Sequence, residues 1–258
     1  MQLLRLVLLA VLLAVLLAPA PGISAENKYD VLAKALTPFV NVFAKQTKNP
    51  NRAMRLTVRL ESMTDLPEAF AGARAELALE YPDKVRLHGP VLGEELTIVR
   101  RGQSLWVAPG GKADAALKAA VSAKKLPPED HTFRLEPFTL PVPEKQLVFL
   151  PTLFRVQDGG SEPLDGELCR VLNLQLVPEA ERTLKEPGWS ARLWVRADGK
   201  PARLTVQRAA WQIAVRFERV EFSKTLPETT WEPSSEEAGD VLEVSPARYQ
   251  QLLKALVK

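Results

Sequence analysis

Three successive runs of alternating residues between Trp189 and Phe222 restrict this chain more than any other stretch of it. Leu193 and Val195 alternate with Arg192, Trp194 and Arg196. Leu204 and Val206 alternate with Arg203, Thr205 and Gln207, and Ile213, Val215 and Phe217 with Gln212, Ala214 and Arg216. A period of two repeated in this way predicts antiparallel strands with one apolar and one polar face. Asp198-Gly199 supplies the first turn, because glycine tolerates a positive φ there. The phase slips at Glu218-Arg219, so that Val220 and Phe222 continue on the other parity. A bulge at that point would bend the sheet. A bent sheet with an apolar inner face needs a cover, and the rest of the chain reads as supplying one.

The same alternation opens the chain after its first helix. Glu26 to Lys45 carries Val31, Leu32, Ala35, Leu36, Phe39, Val40 and Phe43 at three-and-four spacing, one apolar helical stripe. Thr37-Pro38 is a candidate internal break, with Thr37 as the cap of a second short helix. Met54, Leu56, Val58 and Leu60 then alternate with Arg55, Thr57, Arg59 and Glu61. Ala73 to Tyr81 repeats the pattern with Ala75, Leu77 and Leu79 in phase. Pro82-Asp83 turns into a strand begun by Val85 and Leu87, and Leu96–Val99 and Ser104–Val107 form a hairpin. Gly110 to Lys125 is alanine-rich and favours helix. Leu126 to Pro143 is irregular. Glu144 to Val156, interrupted by Pro151, is expected to be a short, kinked or broken helix, and it is more apolar than a connector needs. Gly159 to Gly166 is expected to be a loop. Leu168 to Val177 is a strand with a parity change near Val171-Leu172, and Pro178 to Gly188 a polar connection with room for one helical turn. After Phe222, 226–240 is acidic and carries one large apolar residue, Trp231. Ser245-Pro246 marks the start of an amphipathic C-terminal helix at about 245–257.

Length and targeting set the frame. The 258 residues suffice for one large or two small domains. Residues 1–25 read as a cleaved signal peptide: Arg5 as the positive start, then a thirteen-residue apolar run from Leu6 to Ala18, broken by Pro19, Pro21 and Gly22. A membrane span needs about 20 residues, so the run suits a secretory leader with the cut after Ala25. The mature chain, 26–258, is expected in the periplasm as one domain. The element tally, about nine to eleven strands with helices at the ends and in one insertion, argues an α+β fold: a strongly curved antiparallel sheet with helices covering it.

The residue inventory narrows the chemistry. Thirty-four Lys+Arg against 31 Asp+Glu leave a formal charge of +3 without a basic cluster, which gives no case for nucleic acid. The single cysteine, Cys169, excludes an internal disulfide and reads as a buried, inert thiol. His88 and His131 are the only histidines, too few for a His-based triad or a His-rich metal site. Glu94-Glu95 and Glu179/Glu181 read as solvated faces, and no phosphate-cradling glycine loop or nucleophile elbow occurs. No enzyme, cofactor or metal is expected. Two readings of the sheet stand: a core filled by its own side chains, or a cavity for an apolar ligand.

The order of motifs resembles the LolA lipoprotein-carrier family and its relatives, the LolB and RseB-like lipoprotein-sorting group. Gly102-Gln103-Ser104-Leu105-Trp106 followed by Pro109, Leu77 to Pro82 followed by Val85-Arg86, and Leu193-Trp194-Val195-Arg196 before Gly199-Lys200-Pro201-Ala202-Arg203-Leu204 carry the resemblance, which spans roughly Leu32 to Trp231. It implies an incomplete β-barrel around an apolar cavity that holds lipid or lipoprotein acyl chains, with membrane-bound donor and acceptor proteins as further partners. Leu147, Phe149, Leu150, Leu153 and Phe154 would form the lid. Leu56, Val58, Leu60, Leu77, Leu79, Leu96, Ile98, Leu105, Trp106, Leu193, Val195, Ile213, Val215 and Phe217 would line the cavity. The family arginine that ties the lid shut is matched here by Tyr81. The alternative from another class is the same fold with a filled core, acting as an envelope interaction or sensor module.

Overall fold

The computed structural model describes residues 27–43, 51–64, 70, 72–91, 94–124, 131–138, 154–184 and 188–250. In chain order the elements are α1 (Lys28–Phe43), β1 (Ala53–Met63), β2 (Arg74–Glu80), β3 (Lys84–Val91), β4 (Glu94–Arg101), β5 (Ser104–Ala108), α2 (Gly110–Lys124), β6 (Phe154–Leu164), β7 (Glu167–Leu176), α3 (Pro178–Leu184), β8 (Trp189–Val195), β9 (Pro201–Arg208), β10 (Trp211–Ser223) and β11 (Leu242–Glu243). The strands make one antiparallel sheet in the order β11-β5-β4-β3-β2-β1-β10-β9-β8-β7-β6. Two meanders, β1 to β5 and β6 to β10, are joined where β1 pairs with β10. Strands β6 and β11 stand at opposite edges and do not pair, so the sheet is open.

The slip read at Glu218-Arg219 is a bulge. Leu56 faces Val220 and Thr57 faces Arg219, but Val58 faces Phe217, which leaves Glu218 as the extra residue. A second shift follows between Leu60 and Ser62. The bulge keeps Val220 and Phe222 on the same face as Ile213, Val215 and Phe217, because residues paired across strands share a face.

That face is apolar from β6 to β5, and α1 lies against most of it. Leu32, Leu36, Phe39 and Val42 of α1 share one buried cluster with residues of β1, β2 and β6 to β10. The Phe39 ring meets Phe222 edge-on at 4.9 Å between centroids. Contrary to the sequence reading, α1 runs unbroken through Thr37-Pro38. Proline removes one helical N–H there. The buried stripe that continues through Phe39 and Val42 on both sides of it holds the helix together.

Two further expectations are corrected. Phe154 to Val156 is the start of strand β6, not a helix end, and Gly159 to Leu164 continues that strand, leaving only Asp165-Gly166 as the turn. Gly159-Gly160 forms a bulge opposite Val171, and Pro163 is accommodated because β6 is an edge strand. The glycines and proline that signal a loop are here edge-strand devices. The parity change at Val171-Leu172 is no slip in β7 either. Its pairing with β8 is continuous. Leu172 and Leu174 join the inner cluster, whereas Cys169 and Val171 pack with Trp194 and Ala202 on the outer face.

The outer face carries a strap that alternation does not reveal. Residues 225–241 cross it through a short 3-10 turn, Glu228–Trp231, and Trp231 buries itself against Ala78, Val99, Trp106 and Ala108. The Trp106 indole N–H donates to the Trp231 carbonyl at 3.2 Å. Arg86 donates to both oxygens of Glu237 at 2.7 Å. The Thr97 hydroxyl donates to Glu237 at 2.5 Å. The chain then adds β11 beside β5, and Ser245 Oγ accepts from the Arg248 N–H at 3.1 Å, capping the helix that starts at 246.

Candidate functional site

The inner face divides into two covered ends with a half-buried strip between. At one end the α1 stripe packs on Leu56, Val58, Leu60, Leu79, Phe154, Leu193, Val195, Ile213, Val215 and Phe217. Leu77 is partly buried at its margin. At the other end Leu96, Leu105 and Val107 are buried with Leu135 and Val244, and Ile98 packs against them. The cross-strand pairs Leu56–Leu77, Leu77–Leu87 and Leu87–Ile98 place all of these on one face. Val85, Leu87 and Leu77 in the middle are only half-buried.

A rim of aromatic residues borders the α1 end. Trp189 and Trp211 meet edge-on at 5.7 Å, and Tyr29, Phe43, Phe70 and Tyr81 are partly buried beside the cluster. Tyr81 stands at the β2–β3 turn with the Arg52 guanidinium 5.5 Å above its ring.

Among the described residues one buried charged side chain lies on the inner face. Arg100 of β4 is 8 % exposed and is opposite Leu105 and Val85. Its guanidinium donates to the carbonyls of Glu136 at 2.6 Å and Gly102 at 3.0 Å and stacks on Phe138 at 4.8 Å. Burial pushes its pKa below the ordinary arginine value, and Asp83 offsets this. The Phe138 N–H donates to the Pro82 carbonyl at 2.8 Å, and Gln103 exchanges two hydrogen bonds with the Leu135 backbone. Arg100 and Gln103 thus fasten 135–138 along the turns that end β2 and β4. This anchors the chain just ahead of the segment expected to be the lid.

Of the site residues expected from sequence, all the strand residues but one lie on this face. Trp106 points to the opposite side, where it meets Trp231. That follows from its neighbour Leu105 facing inward. Phe154 belongs to β6 and to the α1 cluster. Leu147, Phe149, Leu150 and Leu153 lie outside the described residues. The sequence reading missed Leu32, Leu36 and Phe39 as occupants of the sheet's hollow, although their helical stripe was visible. It also left out Val85 and Leu87, whose alternation was the available signal.

Among the described residues no group of three or more His, Cys, Asp or Glu is placed to hold a metal. Cys169 is buried on the outer face, where burial pushes its thiol up. What the inner face can do is exclude water from apolar matter. Among the described residues no helix is long and apolar enough to cross a membrane.

No family model matches the sequence, and no curated protein sequence matches it. Among solved structures, the chain is similar to MucB in complex with MucA(peri), at 14% identity and a TM-score of 0.42, over 84% of this chain and 63% of that one. The chain therefore spans less than two thirds of MucB. It is also similar to the Mycobacterium tuberculosis lipoprotein LppX, at 11% identity and a TM-score of 0.41, over 79% of this chain and 99% of that one. A LolA superfamily protein from Nitrosomonas europaea, NE2245, gives 13% identity and a TM-score of 0.29, over 81% and 98%.

Proposed function

We propose that this protein is a non-catalytic binding protein of the cell envelope that holds lipid or lipoprotein acyl chains against the inner face of its sheet and hands them to a partner. The observation that carries this reading is the apolar strip of Leu77, Val85 and Leu87, half-buried between two closed clusters on one continuous face. A face apolar across so many strands exceeds what α1 alone covers. An acyl chain of about 14 methylenes gains roughly 11 kcal/mol on leaving water, offset in part by ordering the chain and opening its cover. Affinity is then set by how easily the cover opens, and an acceptor competes by offering an equal apolar site. Residues 147–153 are the proposed cover, entered from the segment that Arg100 fastens. A leader removed after Ala25 would deliver the chain to the periplasm.

The test is uptake. Native mass spectrometry of the purified mature protein is expected to show bound lipid, and a fluorescent fatty-acid probe is expected to bind. Leu87→Asp and Leu150→Asp are expected to reduce probe uptake by tenfold or more while leaving the urea midpoint nearly unchanged. Absence of both lipid and uptake overturns the proposal, and equal loss of uptake and stability makes these residues plain core.

A second reading, an envelope interaction or sensor module with a filled core, draws on the α1 cluster, in which Leu32, Phe39 and Val42 are 0 % exposed. Partner capture with no lipid uptake would favour it.

A further inference from the structure

The outer face carries a half-open crevice of about 310 Å³ between the sheet and the strap. That volume is at the lower end for small-ligand sites. Arg55, Arg86 and Arg219 line it from β1, β3 and β10, and Thr229, Thr230 and Ser234 from the strap. Its origin is in the register. Arg55 pairs across the sheet with Ala78, and Ala78 with Arg86. Trp231 packs over one side of this small side chain, and the strap leaves the space beside Arg55 open.

The charges around the crevice are unevenly committed. Arg86 is held by Glu237 in a two-pronged pair. Arg219 pairs with Glu221 at 2.7 Å, although Glu221 is the cross-strand partner of Arg55. Glu76, which also lines the cavity, pairs with Arg74 at 3.3 Å. Arg55 is half-buried and donates to the Thr230 hydroxyl at 2.8 Å; among the described residues no carboxylate lies within ion-pair distance of it, although the charge of Glu221 across the strand acts on it from farther away. Glu232, the remaining acid of the lining, is exposed to water. A half-buried guanidinium whose hydrogen bond among the described residues goes to Thr230, beside the hydroxyls of Thr57, Thr229 and Ser234, is a donor set that recognises an oxyanion.

From the cavity, the register and this charge balance we infer that the crevice binds a small oxyanion, a carboxylate or a phosphate group, with Arg55 as its principal donor and the strap hydroxyls as secondary ones. This site lies on the face opposite the acyl-binding strip and does not depend on it. Occupancy ties the strap to β1 through Arg55 and Thr230, so the ligand also reinforces the docking of 228–234.

Isothermal titration calorimetry of the mature protein with inorganic phosphate and, separately, with succinate tests this against sodium chloride at equal ionic strength. Saturable binding of at least one oxyanion is expected, with no heat of binding from chloride; which of the two binds assigns the group. Arg55→Gln is expected to weaken binding at least tenfold, and Arg55→Lys, which keeps the charge but loses the planar fork, by several-fold. Both variants are expected to keep fatty-acid probe uptake and the wild-type circular dichroism spectrum. If Arg55→Gln misfolds, Arg55→Lys alone decides. Binding of neither anion, binding equal to that of chloride, or unchanged affinity in the folded variants overturns the inference.

Discussion

Replacing Phe39 by alanine tests whether α1 is part of the fold or a removable cover. Phe39 is 0 % exposed, and its ring stacks edge-on against Phe222 at 4.9 Å. Truncation returns roughly 120 Å² of apolar surface to water or to void, worth about 3 kcal/mol at ~25 cal/mol per Å². The hole left beneath the helix and the lost ring contact raise this toward the ~3–5 kcal/mol typical of buried phenylalanine. We expect a loss of about 4 kcal/mol, a large fraction of the ~5–15 kcal/mol that holds a domain folded. For a chain of this size that lowers Tm by roughly 8–16 °C. The assay is urea unfolding followed by tryptophan fluorescence and far-ultraviolet circular dichroism, with Phe43→Ala as the control. Phe43 lies on the same stripe but is half-buried, and its loss should cost only about 1–2 kcal/mol. A Phe39→Ala loss below about 1 kcal/mol with an unchanged urea slope would refute the packing of α1 described above.

Two further outcomes test the strap. Burial pushes the Glu237 carboxyl up, but the hydrogen bonds from Arg86, Thr97 and the Ser234 N–H outweigh it and hold the group at about 2, against an ordinary 4.5. A depressed folded-state pKa means that the stabilisation is full above about pH 4.5 and drains away as pH falls toward 2. Glu237→Gln is expected to lose about 2 kcal/mol at neutral pH and to flatten the fall of the urea midpoint over that window; an unchanged slope counts against the pairing. Among the described residues the buried Trp231 indole N–H finds no hydrogen-bond partner, whereas the Trp231 carbonyl accepts from Trp106. Trp231→Phe should therefore stay within about 1 kcal/mol of wild type, because it removes an unsatisfied donor, while Trp231→Ala should cost ~3–5 kcal/mol. Similar losses in the two variants by thermal unfolding would contradict this.

Local pattern carried most of the sheet. Alternation alone marked β1 to β5 and β8 to β10, the bulge at Glu218 followed from one slip in phase, and the α1 stripe was visible residue by residue. These features depend on side chains two or four residues apart, which any sequence displays. Strand β6 was hidden because its Gly159, Gly160 and Pro163 are the residues of loops, and only its position at the sheet edge makes them strand residues. The site was half legible. Which residues face inward could be read, including that Trp106, next to inward Leu105, faces out, but not that Leu32, Leu36 and Phe39 occupy the hollow, nor that Trp106 meets a tryptophan 125 residues later.

The amino-acid sequence by itself determined the strand faces, the order of elements and the poverty of catalytic groups, since these are properties of neighbours along the chain. Only the tertiary structure decided how much of the apolar face α1 closes, and that the acidic stretch after Phe222 becomes a strap over the other face. It also decided that Glu221, the cross-strand neighbour of Arg55, accepts its hydrogen bond from Arg219. Each of these depends on contacts between segments far apart in sequence, where packing and charge pairing choose among partners that local periodicity leaves equivalent.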